Sequence, residues 1–211
     1  MKICVFGASG KTGQRLVELA IAQGHTVIAV ARKPESIKLR SSAITTITAD
    51  VLSAESLTFL HEHKDIDHVI VALGSKALKG DPVRSQGTAN ILTALKQAGV
   101  TPRISLVSAA GTHESWDQLN WISKLFAKIL LPAVMSEHEA QEQTLIDSGL
   151  PYTIFRAAGL VDKKANGDYQ IVKAGKMSPS TIERSALAAC MLKGLSDDSG
   201  RNKALTVTGQ N

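Results

Sequence analysis

The residues best placed to do chemistry begin at Gly7. Gly7-Ala8-Ser9-Gly10-Lys11-Thr12-Gly13 is a G-x-x-G-x-x-G run between an apolar stretch, Lys2–Phe6, and an amphipathic one, Thr12–Gln23. Glycines at those spacings suit a strand-to-helix turn. Gly7 makes the tight turn, Gly10 lets backbone N–H groups approach a pyrophosphate at the positive helix end, and Gly13 allows close helix–strand packing. Ser9, Lys11 and Thr12 supply hydroxyl and ammonium groups that can reach a phosphate; the alternative is a tight turn that merely needs glycine. The next strand, Thr26–Ala31, runs into Arg32-Lys33, where a site built for NAD would place an acid against the ribose 2′-hydroxyl. Arg32 can fork onto a 2′-phosphate and Lys33 can add a point charge, so the expected cofactor is NADP(H). Two solvated cations opening a surface loop are the bland alternative.

Other chemistry is sparse. Cys4 and Cys190 stand far apart with no CxxC spacing and read as buried apolar fillers. His61-Glu62-His63 with His68 resembles a metal cluster only superficially, because residues i and i+2 do not share a helical face, so no metal is expected. The formal charge of +5 comes from dispersed basic residues, and the chain has only four Phe, two Trp and two Tyr for base stacking. That favours an anionic small molecule over nucleic acid. The apolar stretch before Gly7 is too short for a secretory h-region, and no later run approaches about eighteen uncharged apolar residues. A cytoplasmic protein without a membrane partner, monomer or homodimer, is expected.

The elements that must position these residues alternate. After the first strand and helix come strands Thr26–Ala31 and Ile44–Ala49, helix Ala54–His61, strand His68–Leu73, and helix Pro82–Ala98, with Asp81 as N-cap and Pro82 at the first helical position. Strand Arg103–Val107 follows, then two helical stretches split by Pro132, strand Tyr152–Arg156, helix Ile182–Leu192 and strand Ala204–Thr208. Strands separated by helices imply right-handed crossovers, hence an α/β Rossmann-type, doubly wound, mainly parallel sheet with helices on both faces. No linker or repeat interrupts residues 1–211, which read as one domain.

With these features the chain resembles the NmrA-like and biliverdin-IXβ/flavin-reductase-like branch of the atypical short-chain dehydrogenase/reductases. The likeness runs over essentially the whole sequence through Gly7–Gly13, Ala49-Asp50-Val51, Ala72-Leu73-Gly74-Ser75, Ser108-Ala109-Ala110-Gly111 and the stretch from Asp147-Ser148-Gly149 to Ala157-Ala158-Gly159-Leu160. The resemblance implies that Asp50 and Val51 border an adenine, Leu73, Gly74 and Ser75 the central ribose and phosphates, and Ala157, Ala158 and Gly159 the nicotinamide. Asp50 serves equally well as a helix N-cap. Ser108 matches the superfamily's active-site serine, suited to polarising an acceptor oxygen or orienting a carboxamide, although turn chemistry at a strand end would also place it there. The departure lies in the helix before Ser148-Gly149, where the catalytic Tyr-x-x-x-Lys pair that the resemblance implies is absent. The position resembling the Lys is His138, and Val134 stands four residues before it. A neutral His138 could hydrogen-bond a ribose, or supply a proton near neutral pH; an ordinary polar-face histidine is the alternative.

The missing tyrosine shapes the functional reading. An isolated ketone leaves localised alkoxide charge that needs a positioned donor, whereas a flavin, quinone or related pigment delocalises it and takes protons from water or His138. The expectation is an NADPH-dependent reductase of a conjugated small-molecule acceptor, with a non-catalytic NADP(H)-sensing regulator as the alternative. A sugar-nucleotide epimerase fits less well, since it too depends on the Tyr-Lys pair. Segments 112–135 and 160–180 are expected to form the acceptor side. From Trp116 to Pro132, large apolar residues recur at helical spacing around Lys124 and Lys128, equally consistent with a pocket wall, a core helix or a dimer contact.

Overall fold

The computed structural model describes residues 1–75, 81–162 and 168–210. In β1 (Lys2–Phe6) everything from Ile3 to Phe6 is buried. Ile3 and Val5 pack into one apolar cluster, Cys4 and Phe6 into another. Successive side chains leave a strand on opposite faces, so a strand apolar at every position must be covered on both. β2 (Thr26–Ala31) divides in the same way, with Val27 and Ala29 on one face and Ile28 and Val30 on the other.

With β3 (Ile44–Thr48), β4 (His68–Val71), β5 (Arg103–Ala109), β6 (Tyr152–Ala157), β8 (Tyr169–Val172) and β10 (Lys203–Gly209), these strands form one sheet in the order β3-β2-β1-β4-β5-β6-β10-β8. Every pairing in it is parallel except that of β8 with β10. Helices α1 (Lys11–Ala22) and α5 (Arg184–Lys193) pack into the cluster on one face; α2 (Ser85–Ala98) and α4 (Pro132–Asp147) pack into the other. The expected doubly wound, mainly parallel architecture is therefore present. Both cysteines are buried, and no helix among the described residues is long and apolar enough to cross a membrane.

Several element readings need correction. The stretch read as helix Ala54–His61 is a 3-10 run, Glu55–Glu62. Ser56 and Thr58 hydroxyls bond nearby carbonyls of Asp50, Ser53 and Glu55, and such local partners compete with i→i+4 bonding. α2 begins at Ser85 rather than Pro82, because the Asp81 carboxylate accepts the Val83 N–H and folds the chain into a turn first. Ile182 and Glu183 belong not to the last helix but to β9 (Thr181–Glu183), which pairs with β7 (Gly159–Val161). These two strands are three residues long, too short for alternation to announce them. Of the segment 160–180, residues 163–167 lie outside the described residues.

α3 (Trp121–Leu130) excludes the core-helix reading. Only Ala127 is buried on it, while Trp121, Ile122, Leu125, Phe126, Ile129 and Leu130 are each more than half exposed.

Candidate functional site

β1 lies between β2 and β4, so the strand order reverses there and leaves a crevice beyond the carboxyl ends of the strands. A cleft of about 1440 Å³ opens at that point. All residues assigned above to cofactor or chemistry line it except Gly13 and Lys33.

The turn after β1 is built by its glycines. Gly7 has φ +80°, and a Cβ there would run into the Ala72 carbonyl. Gly13 is shut against the turn, where a Cβ would strike the Gly7 carbonyl oxygen; it shapes the cleft without lining it. The Gly10 N–H donates to Gly7 O at 2.9 Å, and Gly10 O accepts from Gln14 N at 2.9 Å to open α1. The first turn of α1 carries no acidic residue, so its open N–H groups meet the cleft without a competing carboxylate of their own helix. Lys11 ion-pairs with Asp162 at 2.6 Å, as does Arg184 from the start of α5. Lys11 and Asp162 are exposed enough for this pair to be weakly held.

Arg32 lines the cleft just past β2 and is exposed. Lys33 is not at the cleft: the chain turns at Pro34, and the Lys33 carbonyl is taken by the Ser36 N–H and hydroxyl. Asp50 lines the cleft, and its Oδ1 accepts from Leu52 N at 3.1 Å, so it caps a turn rather than the helix the sequence suggested. Val51 is buried beside it. Leu73, Gly74 and Ser75 follow β4, and the Ser75 hydroxyl donates to the Asp81 carboxylate. Ala157, Ala158 and Gly159 form the far end, where β6 gives way to β7. A cleft with a glycine cradle that a Cβ would fill and an acid-free helix N-terminus fits the pyrophosphate of a nicotinamide dinucleotide.

Ser108 ends in a buried network that the sequence reading missed. Its hydroxyl donates to Glu142 Oε1 at 2.5 Å, the Thr112 hydroxyl to the same oxygen at 2.8 Å, and Arg156 Nη2 to Oε2 at 2.8 Å. Arg156 also reaches Glu114 at 2.5 Å. Burial opposes the Arg156 charge, but the Glu142 and Glu114 carboxylates outweigh it and hold the guanidinium above its usual value. A hydroxyl has one proton to give, so with that proton on Glu142 the Ser108 oxygen presents only lone pairs. It can receive an N–H, as in orienting a carboxamide, but cannot also donate to an acceptor oxygen. Arg156, a lone cation among apolar residues of a central strand, was the available signal: such a charge needs a buried partner.

His138 lines the cleft from α4 and is 8 % exposed. Burial, reinforced by the Arg84 charge, pushes its pKa down to about 3. At neutral pH it is the neutral imidazole, which keeps the hydrogen-bonding role and removes the proton-donating one. Arg84, also 8 % exposed and also in the cleft wall, went unremarked in the sequence. From segment 112–135, Leu119, Ile122, Phe126, Leu131 and Met135 line the cleft, and Leu160, Met177 and Ser180 do so from the later segment. Neither Tyr152 nor Tyr169 is among the lining residues.

A sequence profile of the NAD(P)H-binding family matches residues 7–198, and the chain belongs to that family. The "uncharacterized sugar epimerase YhfK" of Bacillus subtilis (strain 168) is 28% identical over 99% of this chain and 94% of its own. Two solved structures share the fold. ChuY, an anaerobilin reductase from Escherichia coli O157:H7, superposes with TM-score 0.81 at 23% identity, covering 100% of this chain and 98% of that one. A short-chain dehydrogenase/reductase from Veillonella parvula DSM 2008 in complex with NADP gives TM-score 0.81 at 18% identity, covering 100% and 95%.

Proposed function

We propose that the protein is an NADPH-dependent reductase of a flat conjugated acceptor of the flavin, quinone or linear tetrapyrrole type. The observation that carries this reading is the composition of the cleft wall: no tyrosine lines it, and its one imidazole among the described residues is neutral. A reaction run here has no strong side-chain acid at the reacting end, which suits acceptors whose reduced form spreads its charge and takes its proton from water. Bound NADPH would supply the hydride and leave as NADP+.

The chain's own contribution is positioning and exclusion of water. Gly10, Lys11 and Thr12 hold the pyrophosphate at the α1 N-terminus, and Arg32 receives the 2′-phosphate, which favours NADPH over NADH. Asp50 and Val51 border the adenine, and Leu73 to Ser75 the middle of the dinucleotide. Ser108, whose hydroxyl donates to Glu142, would accept from the carboxamide and help hold the nicotinamide beside Ala157–Gly159. His138 offers a neutral ring nitrogen to the adjoining ribose. Leu119, Ile122, Phe126 and Met135 form an apolar wall against which a planar acceptor stacks, so that proximity and orientation supply much of the rate. The fold relation to an anaerobilin reductase agrees with an extended conjugated substrate, while the name attached to YhfK points to epimerase chemistry, for which the cleft lacks a tyrosine acid.

The test is NADPH oxidation with FMN, riboflavin, biliverdin and simple quinones offered separately, with NADPH and NADH affinities measured in parallel. Saturable turnover of at least one acceptor and tighter binding of NADPH are expected. Tight NADPH binding with no turnover of any acceptor would replace this reading by that of a cofactor-sensing protein. Full activity in a Ser108→Ala/His138→Ala double variant would remove those two residues from the account.

A further inference from the structure

The cleft contains a cation that the scheme above does not use. Arg84 sits immediately before α2, lines the cleft and is 8 % exposed. Among the described residues its guanidinium forms no ion pair or hydrogen bond, and its Nε is wholly buried without a partner. The two carboxylates nearest in charge, Glu137 and Asp81, are directed at other donors. Glu137 accepts from the Ser85 hydroxyl at 2.8 Å and the Ser85 N–H at 3.3 Å, and Asp81 from the Ser75 hydroxyl and the Val83 N–H. Beside Arg84, His138 leaves Nδ1 buried and unpartnered as well.

A buried guanidinium whose nearest carboxylates are turned to other donors is costly to maintain, and planar oxyanions are the groups its fork matches. The cofactor's own anions have other places. On the reading above, the pyrophosphate would face the turn before α1, the helix that packs on the sheet face opposite α2 and α4, and the 2′-phosphate would face Arg32 beyond β2. Arg84 shares its side of the cleft with His138, which lies one turn along α4 from the apolar wall at Met135.

Resting on the reductase reading, we infer that Arg84 is the receptor for an oxyanion, a carboxylate or a phosphate, carried by the acceptor, and that the enzyme therefore selects anionic conjugated acceptors over neutral ones of the same ring system. The neutral His138 ring, kept for the ribose, does not compete for that negative charge.

Matched pairs test this: FMN against riboflavin, which differ by a phosphate, and biliverdin against its dimethyl ester, which differ by carboxylate charge. Binding of each to the protein saturated with NADP+ is measured by calorimetry, alongside kcat/KM with NADPH. The wild type should prefer the anionic member of at least one pair by about tenfold or more, and the pair that shows it tells phosphate from carboxylate. Arg84→Met should bring the ratio close to one, and Arg84→Lys should keep part of it, with unchanged circular dichroism confirming the fold of both. A wild type with no preference in either pair overturns the inference. So does an Arg84→Met protein in which the ratio holds while NADP+ affinity falls, since the arginine would then serve the cofactor. A preference in binding without turnover upholds the receptor and sinks the reductase reading; turnover without preference does the reverse.

Discussion

Removing the Glu142 carboxylate should cost this fold more than most single changes. Glu142 is 0 % exposed and is the shared acceptor for Ser108, Thr112 and Arg156, whose own side chain is 4 % exposed. In Glu142→Ala the guanidinium keeps only Glu114, which is largely solvent-exposed, and the Ser108 hydroxyl loses its acceptor while that of Thr112 falls back on the Ala109 carbonyl. Breaking a buried ion pair by deleting one partner costs about 3–5 kcal/mol, because the surviving charge stays desolvated. For a chain of this size each kcal/mol moves the midpoint by about 2–4 °C, so a fall in Tm of roughly 6–20 °C is expected. Glu142→Gln keeps one acceptor oxygen and most of the volume, and should fall between Ala and wild type. Thermal unfolding by circular dichroism at low salt, with the double variant Glu142→Ala/Arg156→Met as the control, reads this out. The double variant should recover a substantial part of the loss, since it removes the orphaned cation. If Glu142→Ala melts within about 2 °C of wild type, below the bottom of the range just derived, the network does not hold this part of the sheet. If the double variant is no more stable than the single one, the cost does not come from the unpaired charge.

Other outcomes follow from single contacts. Arg32→Ala should weaken NADPH binding by about tenfold to a hundredfold, the worth of a charge-assisted hydrogen bond to a phosphate, and leave NADH nearly unchanged; equal losses for both in equilibrium titrations would contradict the 2′-phosphate assignment. Because the folded-state pKa of His138 is depressed to about 3, the unfolded chain binds the extra proton between its own value near 6.5 and that one. Stability through this group is complete above pH 6.5 and is lost as pH falls toward 3. Denaturation at pH 6.5 and 5 should therefore differ by up to about 2 kcal/mol from His138 alone, and His138→Gln should flatten that slope. The turnover profile should carry no inflection near pH 6.5 that His138→Gln removes. Gly13→Ala forces a methyl onto the Gly7 carbonyl; a loss of about 1–3 kcal/mol is expected from overpacking, together with weakened cofactor binding, and wild-type values for both would show that the turn is not closed by backbone packing.

How much of this was legible before the structure depended on how local the signal was. The parallel sheet was readable because strands alternate with helical stretches, and the turn because three glycines stand between the first strand and the first helix. The fate of Lys33 was not readable: its adjacency to Arg32 suggested a shared role, and the turn at Pro34 separates them. β7 and β9 were hidden because three residues carry no period. The Glu142–Arg156 pair joins residues on α4 and β6 that only tertiary packing brings together, and no local pattern singles out Arg84, whose burial comes from packing. His138 was found by its place in a motif, but its charge state depends on packing and on Arg84, neither of which spacing reveals.

The central claim is that the cleft positions NADPH to reduce a second molecule directly. Single-turnover oxidation of NADPH, followed by its absorbance loss with saturating acceptor and without oxygen, tests it most directly when run with cofactor protiated and deuterated at the transferable position. The account predicts stoichiometric oxidation coupled to acceptor reduction, slower with the deuterated cofactor. Tight NADPH binding, with oxidation no faster than in protein-free solution for any acceptor, would contradict it.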